Sequence, residues 1–135
     1  MTTVLFACVH NAGRSQMAAA FFNALADPSA ARAISAGTAP AQCVHEEVID
    51  SMREAGVDLG GVTPVLLTDE LAATAQLLVT MGCGETCPVV PGTRRLDWNI
   101  ADPKAQPPMR VHAIRDEIRD RVCALVAAEG WQRRG

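Results

Sequence analysis

The sequence predicts an α/β fold: a single-domain, four-stranded parallel sheet with helices on both faces. Three observations predict it. Short apolar runs alternate with longer helix-forming stretches along the chain. Two of those runs, Val4–Ala7 and Leu77–Met81, show no polar alternation, the pattern of strands covered on both sides. The 135 residues contain no internal repeat and no linker, so residues 1–135 read as one domain. With 49% apolar and 20% charged residues, the chain can bury a core, and global disorder is excluded.

The elements follow in order. Val4–Ala7 is the first strand and ends at Cys8. Residues 9–13 read as a loop in which Asn11 and Gly13 tolerate left-handed backbone. A helix is expected from Arg14 to Leu25, rich in good helix formers and stopped by Asp27-Pro28. Ala33–Ala36 is a second strand, closed by Gly37. A second helix is expected from near Val44, with Val48, Ile49, Met52 and Ala55 on one face and Gly56 as its terminator. Thr68–Leu71 is a capped helical turn, and Leu77–Met81 is the central strand. Gly82–Gly92 is loop, rich in Gly, Pro and Cys. Arg95–Trp98 is a last short strand. The final helix runs from about Met109 to Ala128, with Val111, Ile114, Ile118, Val122 and Leu125 in one stripe.

Composition bounds the partners. A net charge of −3 argues against nucleic acid or an anionic membrane as the main partner. No apolar run reaches the ~18–20 residues of a membrane span, and the start lacks a signal-peptide pattern. The expected location is the cytoplasm. Five cysteines, an odd number, in a reducing compartment argue against a disulfide framework.

In a parallel sheet, ligands sit beyond the carboxyl ends of the strands. Cys8, Gly82-Cys83 and residues 98–102 all fall at that rim. Cys8-Val9-His10-Asn11-Ala12-Gly13-Arg14-Ser15 has the form C-x5-R-S between a strand and a helix. The bare pattern is weakly specific; with this many cysteines a chance match arises in about one chain in four. The strand–loop–helix setting sharpens it, because loop N–H groups and a helix N-terminus can then cradle one tetrahedral oxyanion. The backbone from Val9 to Ser15 is the candidate cradle, and Arg14 the bidentate clamp. Cys8 at its floor is the candidate nucleophile, in a field that favours thiolate. Ser15 can donate to the sulfur, and Asn11 can brace the loop. The bland alternative is a buried Cys before a turn.

Asp97-Trp98-Asn99-Ile100-Ala101-Asp102-Pro103 brings two carboxylates to the same rim. Asp102 is either a general acid for the leaving oxygen or the start of an Asp-Pro turn. Cys83 and Cys87 stand four apart. On a helical turn their Cβ atoms would lie about 5–6 Å apart, slightly wide for a disulfide. A zinc site would need two further ligands, and His10, His45 and His112 are scattered. Two unrelated buried thiols and a redox pair are the other readings.

The chain resembles an arsenate reductase on the low-molecular-weight tyrosine phosphatase fold. The segments that carry the resemblance are Cys8–Ala18, Ser35–Thr38, Val79–Pro88 and Asp97–Pro103. The resemblance implies that Cys8 attacks arsenate, and that Asn11, Arg14 and Ser15 hold the oxyanion and the thiolate. It makes Asp102 the general acid. It makes Cys83 the second thiol, which attacks Cys8 and releases arsenite. Cys87 is then the third, closing a Cys83–Cys87 disulfide. No bound cofactor is implied, only an external thiol reductant. The short Cys83–Cys87 spacing resembles actinobacterial members, some of which use mycothiol. The reductant is therefore thioredoxin, or mycothiol with mycoredoxin. Where some members bind potassium through an acidic residue on the first helix, this chain has Ala19, so no metal is expected. Cys43 and Cys123 match no motif.

Two other functions compete. A tyrosine phosphatase would use Cys8, Arg14 and Asp102, with water resolving a phosphocysteine. The chain has no tyrosine, Lys104 follows Asp102-Pro103, and aromatics total 4%, so a phosphotyrosine pocket is hard to wall. A non-enzymatic oxyanion- or metal-binding module would keep the loop and need neither Cys83, Cys87 nor Asp102.

Overall fold

The computed structural model describes residues 1–82 and 91–133. Four parallel strands form one sheet in the order β2-β1-β3-β4: β1 (Thr2–Cys8), β2 (Ala31–Gly37), β3 (Leu77–Thr80) and β4 (Arg94–Asp97). The helices are α1 (Arg14–Leu25), α2 (Glu46–Glu54), α3 (Asp69–Ala73) and α4 (Pro108–Glu129).

The two uninterrupted apolar runs are the two central strands. Val4 to Cys8 and all of β3 are buried. Side chains alternate across the sheet, so each run feeds two cores. Val4, Phe6, Leu77 and Val79 face the larger one, packed by α1, α2 and α4. Leu5, Ala7 and Leu78 face a smaller one, covered by Ala72 of α3 with Leu67 and Ala75. Helices do lie on both faces, but a single short helix serves the second. Strand β4 is a mostly exposed edge bearing Arg94, Arg95 and Asp97, charges that discourage edge-to-edge pairing.

The five-residue stripe of α4 is buried as its spacing predicts. Pro108 opens the helix, where a missing N–H costs nothing, and Gly130 ends it at φ 72°. Arg115 is also buried on α4; its Nη1 donates to Ser51 O at 2.8 Å and ties α4 to α2. Helix α2 starts at Glu46, later than Val44. The reason is that His45 is extended and so becomes the N-cap; its N–H, which the helix does not use, donates to Ala12 O at 3.0 Å.

Strand β4 is fastened to β3 by a side-chain bond as well as the ladder. Thr80 Oγ1 donates to Asp97 Oδ1, and Arg95 Nε donates to the same oxygen at 3.0 Å. The Thr80 hydrogen bond, then that of Arg95, holds the Asp97 carboxyl below its ordinary value despite some desolvation. A depressed carboxyl stabilises the fold above its unfolded value, and the gain is lost as pH falls through the folded value. Asp97→Asn should therefore lower the urea midpoint at neutral pH, and the gap from wild type should close in acid. At the centre of the larger core, Phe6 touches Phe22 and Trp98 with ring centroids 5.9 and 5.7 Å away. Phe6→Ala should cost about 3–5 kcal/mol in urea unfolding, the usual range for emptying such a site.

Candidate active site

The loop between β1 and α1 is organised by its carbonyl groups. Cys8 O accepts from Thr38 N at 3.2 Å, Val9 O from Ala39 N at 2.8 Å, and His10 O from Ala41 N at 2.9 Å. Ala12 O accepts from His45 N at 3.0 Å, and Gly13 O from Met17 N at 3.0 Å. Asn11 O accepts from Gln16 Nε2 at 3.1 Å. Every carbonyl from Cys8 to Gly13 is thus held by the surrounding scaffold. In a trans peptide the C=O of one residue and the N–H of the next point opposite ways. Fixing these carbonyls outward therefore turns the N–H groups of Val9 to Arg14 the other way, which makes an anion-binding nest.

Two local features permit this path. Asn11 has φ 50°, as expected of a residue that tolerates left-handed backbone. Gly37 ends β2 against the loop; a Cβ there would lie 2.6 Å from Val9 O and 2.8 Å from Asn11 N. No side chain caps the N-terminus of α1, and its first turn carries no acidic residue, so its positive end stays available to an anion.

Cys8 is buried at the end of β1, with Sγ 2.9 Å from Ser15 Oγ. Either atom can donate in that bond, and its neighbours prepare Ser15 for the donor role. Val65 N donates to Asn11 Oδ1 at 2.8 Å, which fixes which end of the Asn11 amide is oxygen. Asn11 Nδ2 then donates to Ser15 Oγ at 2.7 Å. Accepting from Asn11 leaves the Ser15 hydroxyl proton free, and toward a Cys8 thiolate, which can only accept, Ser15 is the donor. A thiolate is the form that benefits.

Arg14, the first residue of α1, donates through Nη1 to Ile100 O at 3.0 Å. Its Nη2 lies 3.9 Å from Asp102 Oδ2, an ion pair too long for a hydrogen bond. Gly82 is needed beside it: at φ 96°, a Cβ there would overlap Arg14 Nη1 and sit 3.1 Å from Cζ. The acid loop is seated on the oxyanion loop, because buried Pro103 packs on Gly13, 3.0 Å from where a Cβ would stand.

The two readings of Asp102 coexist. Its Oδ1 accepts from Lys104 N at 3.0 Å, a turn, while Oδ2 faces Arg14. Its side chain is 44% exposed. Asp97 is different, since Thr80 and Arg95 hold it as carboxylate and occupy it. Of the two carboxylates, Asp102 alone faces Arg14. Val9 packs in the smaller core, and His10 Nδ1 donates to Ala39 O at 3.2 Å. Cys83 and Cys87 lie outside the described residues. Cys43 and Cys123 are exposed free thiols, and Ala19 is part of the larger core. The loop-bracing residue that sequence reasoning missed is Gln16. Its signal was a polar residue in an otherwise apolar stretch of α1, where it is buried.

All three Phe residues are buried, and both Trp residues, partly exposed, pack against the larger core. Comparison with known proteins bears on what the site accepts. A putative arsenate reductase of Halobacterium salinarum is 39% identical over 125 residues, covering 89% of this chain and 87% of that protein. A glutaredoxin arsenate reductase of Synechocystis is 29% identical over 94% of this chain and 98% of its own length. The structure of a thioredoxin-dependent arsenate reductase of Corynebacterium glutamicum superposes with a TM-score of 0.82 at 37% identity. That match covers 95% of this chain, which spans 61% of the Corynebacterium chain. The family model for low molecular weight phosphotyrosine protein phosphatase matches residues 3–133, and the chain belongs to that family.

Proposed function

We propose that the protein is an arsenate reductase in which Cys8 attacks arsenate held in the Cys8–Ser15 loop. The reading is carried by likeness to arsenate reductases along nearly the whole chain, joined to a thiol at the floor of an outward-tied loop. Arg14 and the N–H groups of Val9 to Ser15 hold the oxyanion. The Cys8 thiolate forms a sulfur–arsenic bond. One arsenic–oxygen bond breaks, and that oxygen leaves as water with a proton from Asp102.

Cys83 then attacks Cys8 Sγ. The sulfur–arsenic bond breaks and its electron pair stays on arsenic, which leaves as arsenite. A Cys8–Cys83 disulfide remains. Cys87 attacks Cys83, returns Cys8 as thiolate, and leaves a Cys83–Cys87 disulfide. These two steps rest on the sequence and its resemblance to the family. Each turn of the cycle takes two electrons from an external thiol reductant. Thioredoxin is the donor we favour, because the thioredoxin-dependent neighbour is 37% identical. Mycothiol with mycoredoxin is the alternative. A reducing cytoplasm suits such a cascade. No helix among the described residues is long and apolar enough to cross a membrane.

The test is arsenate-dependent NADPH consumption by the reduced protein, coupled to thioredoxin and its reductase. The expected result is a rate well above the arsenate-free control, abolished by Cys8→Ser with the fold intact. Cys83→Ser should stop turnover and leave no internal bridge by mass spectrometry. Cys87→Ser should stop thioredoxin-linked turnover and spare a mycothiol-linked one. No coupled rate, with two thiols lost once on adding arsenate, points to the other donor. No rate and no thiol loss removes reduction and leaves phosphate-ester hydrolysis to be assayed. In the same assay, Asp102→Ala should slow the first step by roughly 10²–10⁴, the usual worth of a general acid. A near-wild-type rate would reduce Asp102 to a turn residue.

A further inference from the structure

The buried amide of Gln16 has no part in the chemistry above, yet it touches the loop at its most constrained residue. Gln16 Nε2 donates to Asn11 O and to Asn11 Oδ1, both at 3.1 Å. The backbone oxygen cannot be anything but an acceptor, so the orientation of the Gln16 amide is settled. Gln16 is buried, as is Asn11, so neither Asn11 oxygen has water as a ready substitute partner. Asn11 sits at φ 50°, the left-handed region that asparagine visits more readily than most side chains.

We propose that Gln16 is a positioning residue: one amide, bound to both oxygens of Asn11, holds the loop in its anion-binding form and keeps the Asn11–Ser15–Cys8 relay aligned. Two arms leave this single contact. Holding Asn11 O outward turns the Ala12 N–H into the nest. Holding Asn11 Oδ1, together with Val65 N, keeps Asn11 Nδ2 on Ser15 Oγ, and Ser15 on the Cys8 sulfur. Both arms favour negative charge, one on the bound oxyanion and one on the sulfur. The proposal rests on reading this loop as an oxyanion site with Cys8 as nucleophile.

The experiment is residue-resolved iodoacetamide labelling of the Cys8 peptide in the full, reduced chain, followed against pH. Gln16→Met keeps the volume and removes the donor. The Cys8 labelling profile should move to higher pH by about one unit, the equivalent of one tenfold change in an equilibrium. Protection of Cys8 by inorganic phosphate should weaken about tenfold, the scale of one lost hydrogen bond in a buried site. A purely structural role would lower the unfolding temperature and move neither readout in the folded protein. Gln16→Asn, which retains the amide but falls short of both oxygens, is the second variant should Gln16→Met not fold. It should shift both readouts the same way. Profiles and protection that match wild type in a folded variant overturn the proposal. Failure of phosphate to protect wild-type Cys8 would instead overturn the oxyanion reading, while the pH profile would still decide the role of Gln16 toward the sulfur.

Discussion

The constraint on which the rest of this structure depends is the outward fixing of six successive carbonyl groups, from Cys8 to Gly13. A backbone with that many acceptors turned one way cannot survive unless each finds a donor, since a buried unpaired carbonyl costs about 1–3 kcal/mol. Much of the molecule serves to supply those donors. The parallel pairing of β1 with β2 delivers residues 38–41 alongside the loop. Gly37 lets the two backbones approach. His45, the N-cap of α2, has an N–H that the helix does not use and gives it to Ala12. Helix α1 closes the set with Gln16 and Met17.

Electrostatically the site separates two jobs that carboxylates could confuse. Asp97 is bound by a hydroxyl and a guanidinium and spends its charge on joining β4 to β3. Asp102 is half-exposed and meets Arg14 at a distance that attracts without locking. The general-acid role proposed for Asp102 needs a carboxyl free to hold a proton during part of a cycle, which a tight bidentate pair with Arg14 would oppose. The seating of Pro103 on Gly13 keeps Asp102 at the mouth of the loop by packing, so charge pairing does not have to.

Most of the fold was legible because its signals are local. Uninterrupted apolar runs marked β1 and β3, the stripe of α4 marked its buried face, and C-x5-R-S between a strand and a helix marked the loop. What escaped depends on contacts between distant segments. No periodicity tells Asp97 from Asp102, since the difference lies in Thr80 on a neighbouring strand and Arg14 on a helix. Nothing in the order of residues says that Gly37 and Gly82 are sites of close backbone approach. Gln16 looked like a helix former, and its worth comes from facing a loop residue in left-handed conformation. Propensity put the start of α2 near Val44 because it cannot see that His45 takes an extended conformation.

Gly82 has a consequence for kinetics. Met81 N donates to Ala7 O at 2.7 Å, which pins the chain beside the residue that precedes Cys8, and Gly82 then lies against Arg14. The described chain is thus fixed up to Gly82, against Arg14 and beside the strand that ends at Cys8. Were Cys83 the second thiol, as proposed, its reaction with Cys8 would be intramolecular, at a rate governed by local concentration rather than by diffusion. On that proposal, an anchor at Gly82 is a simple physical reason for the adduct to be resolved by sulfur rather than by water.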